Sequence, residues 1–117
     1  MTERARRKEL VEEYKQNRPE AGVFRIVNTR TRRVLVGSTL NLASLHSKMR
    51  FARSTGSTSA LHFRLKADGL KFGVEAFALE ILEVLKSEPG RTSEQLRRDL
   101  AALESLCRER QDQDLLY

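Results

Sequence analysis

Residues 22–37 read GVFRIVNTRTRRVLVG, and the rest of the chain is arranged around this stretch. β-Branched and aromatic residues fill two short segments, 23–27 and 34–36, and polar and basic residues fill the connection between them. Strand formers separated by turn formers are typical of a β-hairpin. Gly22 and Gly37 bracket the hairpin at positions where a backbone can approach another chain segment closely.

Composition predicts one globular domain. The chain has 117 residues, of which 39% are hydrophobic, enough for a modest core. Its single cysteine, Cys107, excludes an internal disulfide and a cysteine-rich zinc site. No apolar run is long enough to span a membrane, and charged residues stand where a signal peptide needs an apolar core. We therefore expect a cytoplasmic protein without membrane association.

Charge is distributed unevenly along the chain. Residues 22–73 contain ten Lys and Arg but one acid, Asp68, whereas residues 74–117 contain six basic and ten acidic residues. A positive surface of this kind suits the phosphate backbone of a nucleic acid, although a solvated face without a partner is the alternative. We predict nucleic-acid contacts for Arg25, Arg30, Arg32, Arg33, Lys48, Arg50, Arg53, Arg64 and Lys66.

The N-terminal segment is predicted to be an accessory helix. Residues 2–16 contain no Gly or Pro and carry a narrow apolar stripe that includes Leu10 and Tyr14. A stripe this small can dock on a domain but cannot hold a helix alone. We assign residues 1–20 to this helix and its linker, and residues 21–117 to the main domain.

Two helices are predicted after the hairpin. Asn41 is a good N-cap for a helix that ends near Ser54, and a polar loop over residues 54–59 follows it. A second helix is expected over residues 60–71, although Gly69 is unfavourable within it. Apolar residues at helical spacing should face the core: Leu42, Leu45, Met49 and Ala52 in the first helix, and Leu61, Leu65 and Phe72 in the second.

The last third of the chain begins with an ambiguous apolar segment. Residues 76–85 alternate well enough for a third strand, with Phe77, Leu79 and Ile81 on one side, but propensity alone also allows a helix. Pro89 and Gly90 predict a turn. Thr92 and Gln95 then form a capping box at the start of a final helix. The core face of that helix is predicted to consist of Leu96, Leu100, Leu103 and Cys107.

The hairpin resembles the signature of the GIY-YIG nucleases. The two signature triplets correspond to Gly22-Val23-Phe24 and Leu35-Val36-Gly37, and the similarity extends to about residue 110. The resemblance implies an α+β fold in which a small three-stranded antiparallel sheet is flanked by helices, here with an extra N-terminal helix. It also implies that residues 76–85 form the third strand.

The resemblance implies a site for one divalent cation. GIY-YIG nucleases hold this cation with a glutamate on a late helix, a position that Glu104 occupies here. Glu104 would thus bind Mg²⁺ or Mn²⁺, whereas a solvated Glu104–Arg108 pair is the structural alternative. Phe24 and Leu35 stand at the positions of the signature tyrosines. Neither has a hydroxyl, and both are therefore expected to pack.

Two further catalytic candidates lie in the first helix. The arginine of the family would fall at Leu45 and its following His or Tyr near Met49, but His46 and Arg50 stand one residue further on. His46 would act as a base and Arg50 would hold the phosphate, unless both, with Arg53, form only a phosphate-binding stripe. His62 is also available but does not align with the family.

These observations leave three functions open. The first is a nucleic-acid-binding protein whose endonuclease site is degenerate, weak or inactive, and this is the function that we predict. The second is an active Mg²⁺- or Mn²⁺-dependent endonuclease that uses Glu104, His46 and Arg50. The third is a protein-interaction module on the same scaffold. The expectation of DNA rather than RNA as the ligand, and a role in DNA repair, follow from the resemblance alone.

Overall fold

The computed structural model describes residues 20–59, 61–85 and 88–117, so the helix predicted for residues 2–16 lies outside the described residues. Three antiparallel strands form one sheet in the order β2-β1-β3, and helices flank it. The strands are β1 (Ala21–Asn28), β2 (Val34–Thr39) and β3 (Phe77–Leu85). The predictions of an α+β fold, of the hairpin and of the third strand are confirmed.

Both bracketing glycines are explained by close packing between strands. Phe24 lies directly opposite Gly37, and a Cβ atom on Gly37 would stand 2.7 Å from the Cζ atom of the Phe24 ring. A Cβ atom on Gly22 would overlap the carbonyl oxygen of Glu83 in β3. A side chain at either position would force its neighbours to move.

The first and last helices begin where their caps predict. Helix α1 (Leu42–Thr55) starts after Asn41, whose side-chain oxygen accepts a hydrogen bond from the Ser44 amide at 3.0 Å. The longest helix, Ser93–Glu109, starts after Thr92, and both hydrogen bonds of its capping box are present. The capping predictions are confirmed.

The second predicted helix is shorter than expected. A 3₁₀ turn (Phe63–Leu65) precedes helix α2 (Lys66–Phe72). We call the helix Ser93–Glu109 α3. The prediction that α2 begins at residue 60 is wrong because the Leu61 amide closes a turn onto the Thr58 carbonyl at 3.1 Å. Close packing favours glycine at position 69 despite its low helix propensity, because a Cβ atom there would stand 2.9 Å from the Leu61 side chain.

The core consists of two apolar clusters, one on each face of the sheet. Alternate strand residues point to opposite faces, so Phe24 and Leu35 face α1, whereas Val23 and Val36 face α3. Two predicted core residues belong to neither cluster: Leu42 is buried, whereas Phe72 is only half-buried. The other predicted positions pack as expected: Leu45, Met49, Ala52, Leu61, Leu65, Phe77, Leu79 and Ile81 on the first face, and Leu96, Leu100, Leu103 and Cys107 on the second.

No helix within the described ranges is both long enough and apolar enough to cross a membrane.

Candidate nucleic-acid interface and adjoining cleft

A cleft of about 300 Å³ opens beside β2, which is an edge strand of the sheet. We call it the β2-edge cleft. It is bounded by the first two strands, by the 3₁₀ turn and by α3. It brings Glu104 together with both positions of the missing tyrosines. Its lining residues are Phe24, Leu35, Val36, Gly37, Ser38, His62, Phe63, Arg64, Glu104 and Arg108.

Glu104 lies in the β2-edge cleft as one member of an ion pair. Its side chain is 24% exposed, and Oε2 lies 3.6 Å from Nη2 of Arg108, one helical turn further along α3. The same Arg108 nitrogen donates a hydrogen bond to the carbonyl oxygen of Val36 at 3.1 Å. The i, i+4 pair predicted from the sequence is therefore present, and Arg108 also ties α3 to the edge of the sheet.

The positions of the missing tyrosines form an apolar floor in this cleft. Phe24 and Leu35 are both buried and belong to the core cluster that faces α1. Because neither side chain carries a hydroxyl, neither can donate or accept a proton or orient a water molecule. Packing in the core is therefore sufficient to explain why Phe24 and Leu35 stand at these positions.

His46 and Arg50 lie in a different cleft from Glu104. Both are exposed on α1 and line a depression between α1 and β3 of about 320 Å³, together with Met49, Arg53, Ala78 and Leu79. Among the described residues, the two clefts have no lining residue in common. The structure therefore separates the three predicted catalytic residues into Glu104 on one side and His46 with Arg50 on the other.

The residues around Glu104 fit a divalent cation only in part. Within the described ranges, no three side chains of His, Cys, Asp or Glu lie close enough together to hold a metal ion. Proteins commonly hold Mg²⁺ with one or two carboxylates, and water and substrate phosphates complete the coordination. Glu104 could supply one such ligand, although Arg108 already compensates its charge. A cation here would depend on phosphate oxygens of a bound nucleic acid.

Most of the predicted nucleic-acid contacts are exposed cations. Arg25 is the exception, because Nη2 lies 2.6 Å from Oε2 of Glu80 and Nη1 donates to Gln111 at 2.9 Å. Its charge is compensated, so it is poorly suited to a phosphate contact. None of the others forms an ion pair with an acidic side chain in the part of the chain that the structure describes. These exposed residues are Arg30, Arg32, Arg33, Lys48, Arg50, Arg53, Arg64 and Lys66.

A buried polar cluster supports the basic β1–β2 turn. Asn28 is fully buried, and its Nδ2 donates to the Tyr117 hydroxyl at 3.0 Å and to Oδ2 of Asp68 at 3.3 Å. The Tyr117 hydroxyl donates to the same Asp68 oxygen at 2.6 Å. Asn28 Oδ1 accepts the amides of Arg30 and Thr31 and thereby closes the turn. We call Asn28, Asp68 and Tyr117 the turn network.

The turn network also orients two arginines. The Arg33 guanidinium lies 4.3 Å from the centre of the Tyr117 ring, and Arg64 Nη1 donates to the main-chain oxygen of Tyr117 at 3.3 Å. Burial, followed by the hydrogen bond to Asp68, raises the pKa of the Tyr117 hydroxyl. The phenol therefore stays protonated as a donor to the Asp68 carboxylate.

Sequence reasoning missed the turn network because its members are far apart in the chain. Asp68 is 40 residues from Asn28 and 49 residues from Tyr117, so no helical or strand period connects them. One signal was available. Asp68 is the single acid among the ten cations of residues 22–73, which distinguishes it from the residues around it.

No protein-family model matches this chain, and no curated protein or solved structure matches it either. The GIY-YIG relationship therefore stays a prediction that rests on the two hairpin triplets and on Glu104.

Proposed function

We propose that this protein binds nucleic acid, DNA in the first instance, through its exposed basic residues, and that any endonuclease activity is weak or absent. One observation carries the proposal. Arg30, Lys48, Arg50 and Lys66 are exposed without an acidic partner among the described residues, and the single acid of residues 22–73, Asp68, is engaged in the turn network. Uncompensated cations of this kind attract a phosphate backbone.

The proposal of a degenerate endonuclease site rests on chemistry. Phe24 and Leu35 cannot replace the hydroxyls of the signature tyrosines, and they are held in the core. His46 and Arg50, the predicted base and phosphate-binding residue, line a cleft that does not include Glu104. Hydrolysis of a phosphodiester needs a base, a cation and the phosphate within contact of one another.

A salt titration of DNA binding tests the proposal. The apparent affinity for a labelled oligonucleotide, measured by fluorescence anisotropy, should fall steeply with salt and persist in EDTA. Arg50→Ala should reduce the slope of log affinity against log salt by about 1. Arg97→Ala is the matched control, since Arg97 is also an exposed helical arginine but lies in the acidic part of the chain. Equal effects of the two variants, or affinity independent of salt, would contradict the proposal.

An active endonuclease in the β2-edge cleft is a second candidate. The observation that favours it is the presence of His62 and Arg64 in the same cleft as Glu104. An imidazole, a guanidinium and a carboxylate are the groups that metal-assisted phosphodiester hydrolysis requires. In this candidate, His62 takes the role of base predicted for His46, and Arg64 takes the role of holding the phosphate predicted for Arg50.

Plasmid cleavage in Mg²⁺ or Mn²⁺ distinguishes the two candidates. An active site in the β2-edge cleft predicts cutting that Glu104→Gln and His62→Ala abolish, whereas His46→Ala leaves it intact. Loss in His46→Ala but not in His62→Ala would instead restore the assignment made from the sequence. A mobility shift without cutting in any of these proteins would support binding alone.

A further inference from the structure

We propose that Phe63, stacked on His62 at the rim of the β2-edge cleft, binds an unpaired nucleobase, so that the preferred ligand is single-stranded nucleic acid. This inference rests on the proposed function and adds the strandedness of the ligand. His62 does not align with the GIY-YIG nucleases.

The Phe63 ring is an exposed aromatic surface with a stacked neighbour, the His62 ring. Its residue is 70% exposed, although burial of a phenylalanine is normally favourable. The His62 and Phe63 ring centres are 4.5 Å apart with an interplanar angle of 29°, which is a stacked arrangement. The guanidinium of Arg64 lies 5.7 Å from the centre of the Phe63 ring. A flat base can extend this stack.

Hydrogen bonds fix the His62 ring and the 3₁₀ turn that carries Phe63. His62 Nδ1 accepts the Arg64 amide at 3.2 Å, and the His62 carbonyl accepts the Leu65 amide at 2.8 Å. Leu65 is fully buried in the core cluster that faces α1. The stack therefore projects from a 3₁₀ turn that is anchored at its far end, which reduces the entropy lost when a ligand binds.

The charges around Phe63 favour a nucleic acid over an apolar partner. Arg64 lines the same cleft and Lys66 is exposed two residues beyond it, and neither forms an ion pair with an acidic side chain in the described ranges. Successive phosphates can contact such cations while a base stacks on an aromatic ring, the combination by which proteins bind single strands. A base inside a duplex has both faces covered by its neighbours, so a duplex offers Phe63 no free base surface.

The test compares two phenylalanines on two ligands. Phe63→Leu keeps apolar bulk and removes the aromatic face, and Phe51→Leu is the matched control because Phe51 is 55% exposed on α1 outside the β2-edge cleft. Binding of a single-stranded oligonucleotide and of a duplex is measured by anisotropy. Phe63→Leu should weaken single-strand binding about 5- to 100-fold and change duplex binding less than twofold. Phe51→Leu should change neither.

A second measurement reports stacking directly. The chain has no tryptophan, so 2-aminopurine in a single strand can be excited with little protein background. Wild-type protein and Phe63→Tyr should quench its fluorescence on binding, and Phe63→Leu should not. In the anisotropy experiment, the ratio of single-strand to duplex affinity separates lost stacking from misfolding, because a folding defect would weaken binding of both ligands.

The outcomes separate this inference from the proposed function. If Phe63→Leu leaves the affinity ratio unchanged while Arg50→Ala still weakens binding, the stacking role is wrong and the proposed function stands. If the wild-type protein binds neither oligonucleotide, the proposed function fails and this inference fails with it.

Discussion

The turn network and the β2-edge cleft both contain polar groups, but they differ in how completely those groups are used. In the turn network, the side chains of Asn28, Asp68 and Tyr117 are hydrogen-bonded to one another or to the turn backbone. In the cleft, the Glu104 carboxylate has one ion-pair contact at 3.6 Å and remains partly exposed. A satisfied buried network stabilises a fold, whereas partly exposed groups remain free for a ligand.

The two regions are connected through Arg64. Its side chain lines the β2-edge cleft and also donates to the main-chain oxygen of Tyr117. The network therefore helps to position one cation of the cleft as well as the basic β1–β2 turn. Changes in the network should lower stability directly and binding indirectly, whereas a change at an exposed side chain of the cleft, such as Phe63, should affect mainly binding.

Substitution of Asn28 should have the largest effect on stability. Asn28→Ala removes the acceptor of two turn amides and leaves Asp68 and Tyr117 with one partner fewer each, so we expect a loss of about 3 kcal/mol in the free energy of unfolding. Urea denaturation measures it. Asn41→Ala is the control, because it removes only an N-cap and should cost about 1 kcal/mol. Equal losses of unfolding free energy in the two variants would mean that the turn network stabilises the fold no more than a single N-cap does.

The hairpin shows how much of the fold local sequence can predict. β-Branched residues and turn formers locate both hairpin strands, although the strands extend beyond the predicted residues 23–27 and 34–36 and include Gly22 and Gly37. Asn41 and Thr92 give the correct helix starts. These signals are local because each depends on backbone preferences within a few residues. The start of α2 was missed because it depends on a turn closed by Leu61 and on the capping of that turn by His62, which propensity does not describe.

The candidate site was predicted less well because it depends on contacts between distant segments. The resemblance to GIY-YIG nucleases singled out Glu104, Phe24 and Leu35, and the structure brings these three residues to one cleft. Helical spacing put His46 and Arg50 on one face of α1, but spacing cannot tell which side of a neighbouring strand that face meets. Phe63 was not singled out because a single exposed phenylalanine has the same sequence pattern as a buried one.

Substitution of Tyr117 should have a moderate and pH-dependent effect. Tyr117→Phe removes one hydrogen bond each from Asn28 and Asp68, so we expect a loss of about 1 kcal/mol near neutral pH. The folded-state pKa of Tyr117 is raised above the ordinary value of 10.0, chiefly by burial. The folded protein therefore keeps this proton where the unfolded chain loses it, and the stabilisation is complete below pH 10 and lost as the pH rises through the folded-state pKa.

The pH dependence is checked by urea denaturation of both proteins between pH 7 and about pH 11. The stability difference between wild type and Tyr117→Phe should be constant up to about pH 9 and should shrink above pH 10. A difference that grows with pH would mean that the hydroxyl is not a donor to Asp68 in the folded state.

Substitution of Glu104 should have the smallest effect on stability, and this is the sharpest contrast with Asn28. Glu104→Gln weakens one i, i+4 ion pair, but Arg108 keeps its bond to the Val36 carbonyl, so the loss should stay below about 0.5 kcal/mol. Glu94→Gln, which breaks the exposed i, i+4 pair with Arg98, should cost the same. A loss above about 1.5 kcal/mol for Glu104→Gln alone would contradict this prediction. It would mean that the Glu104 carboxylate stabilises the fold, whereas a carboxylate kept for a ligand should be dispensable for stability.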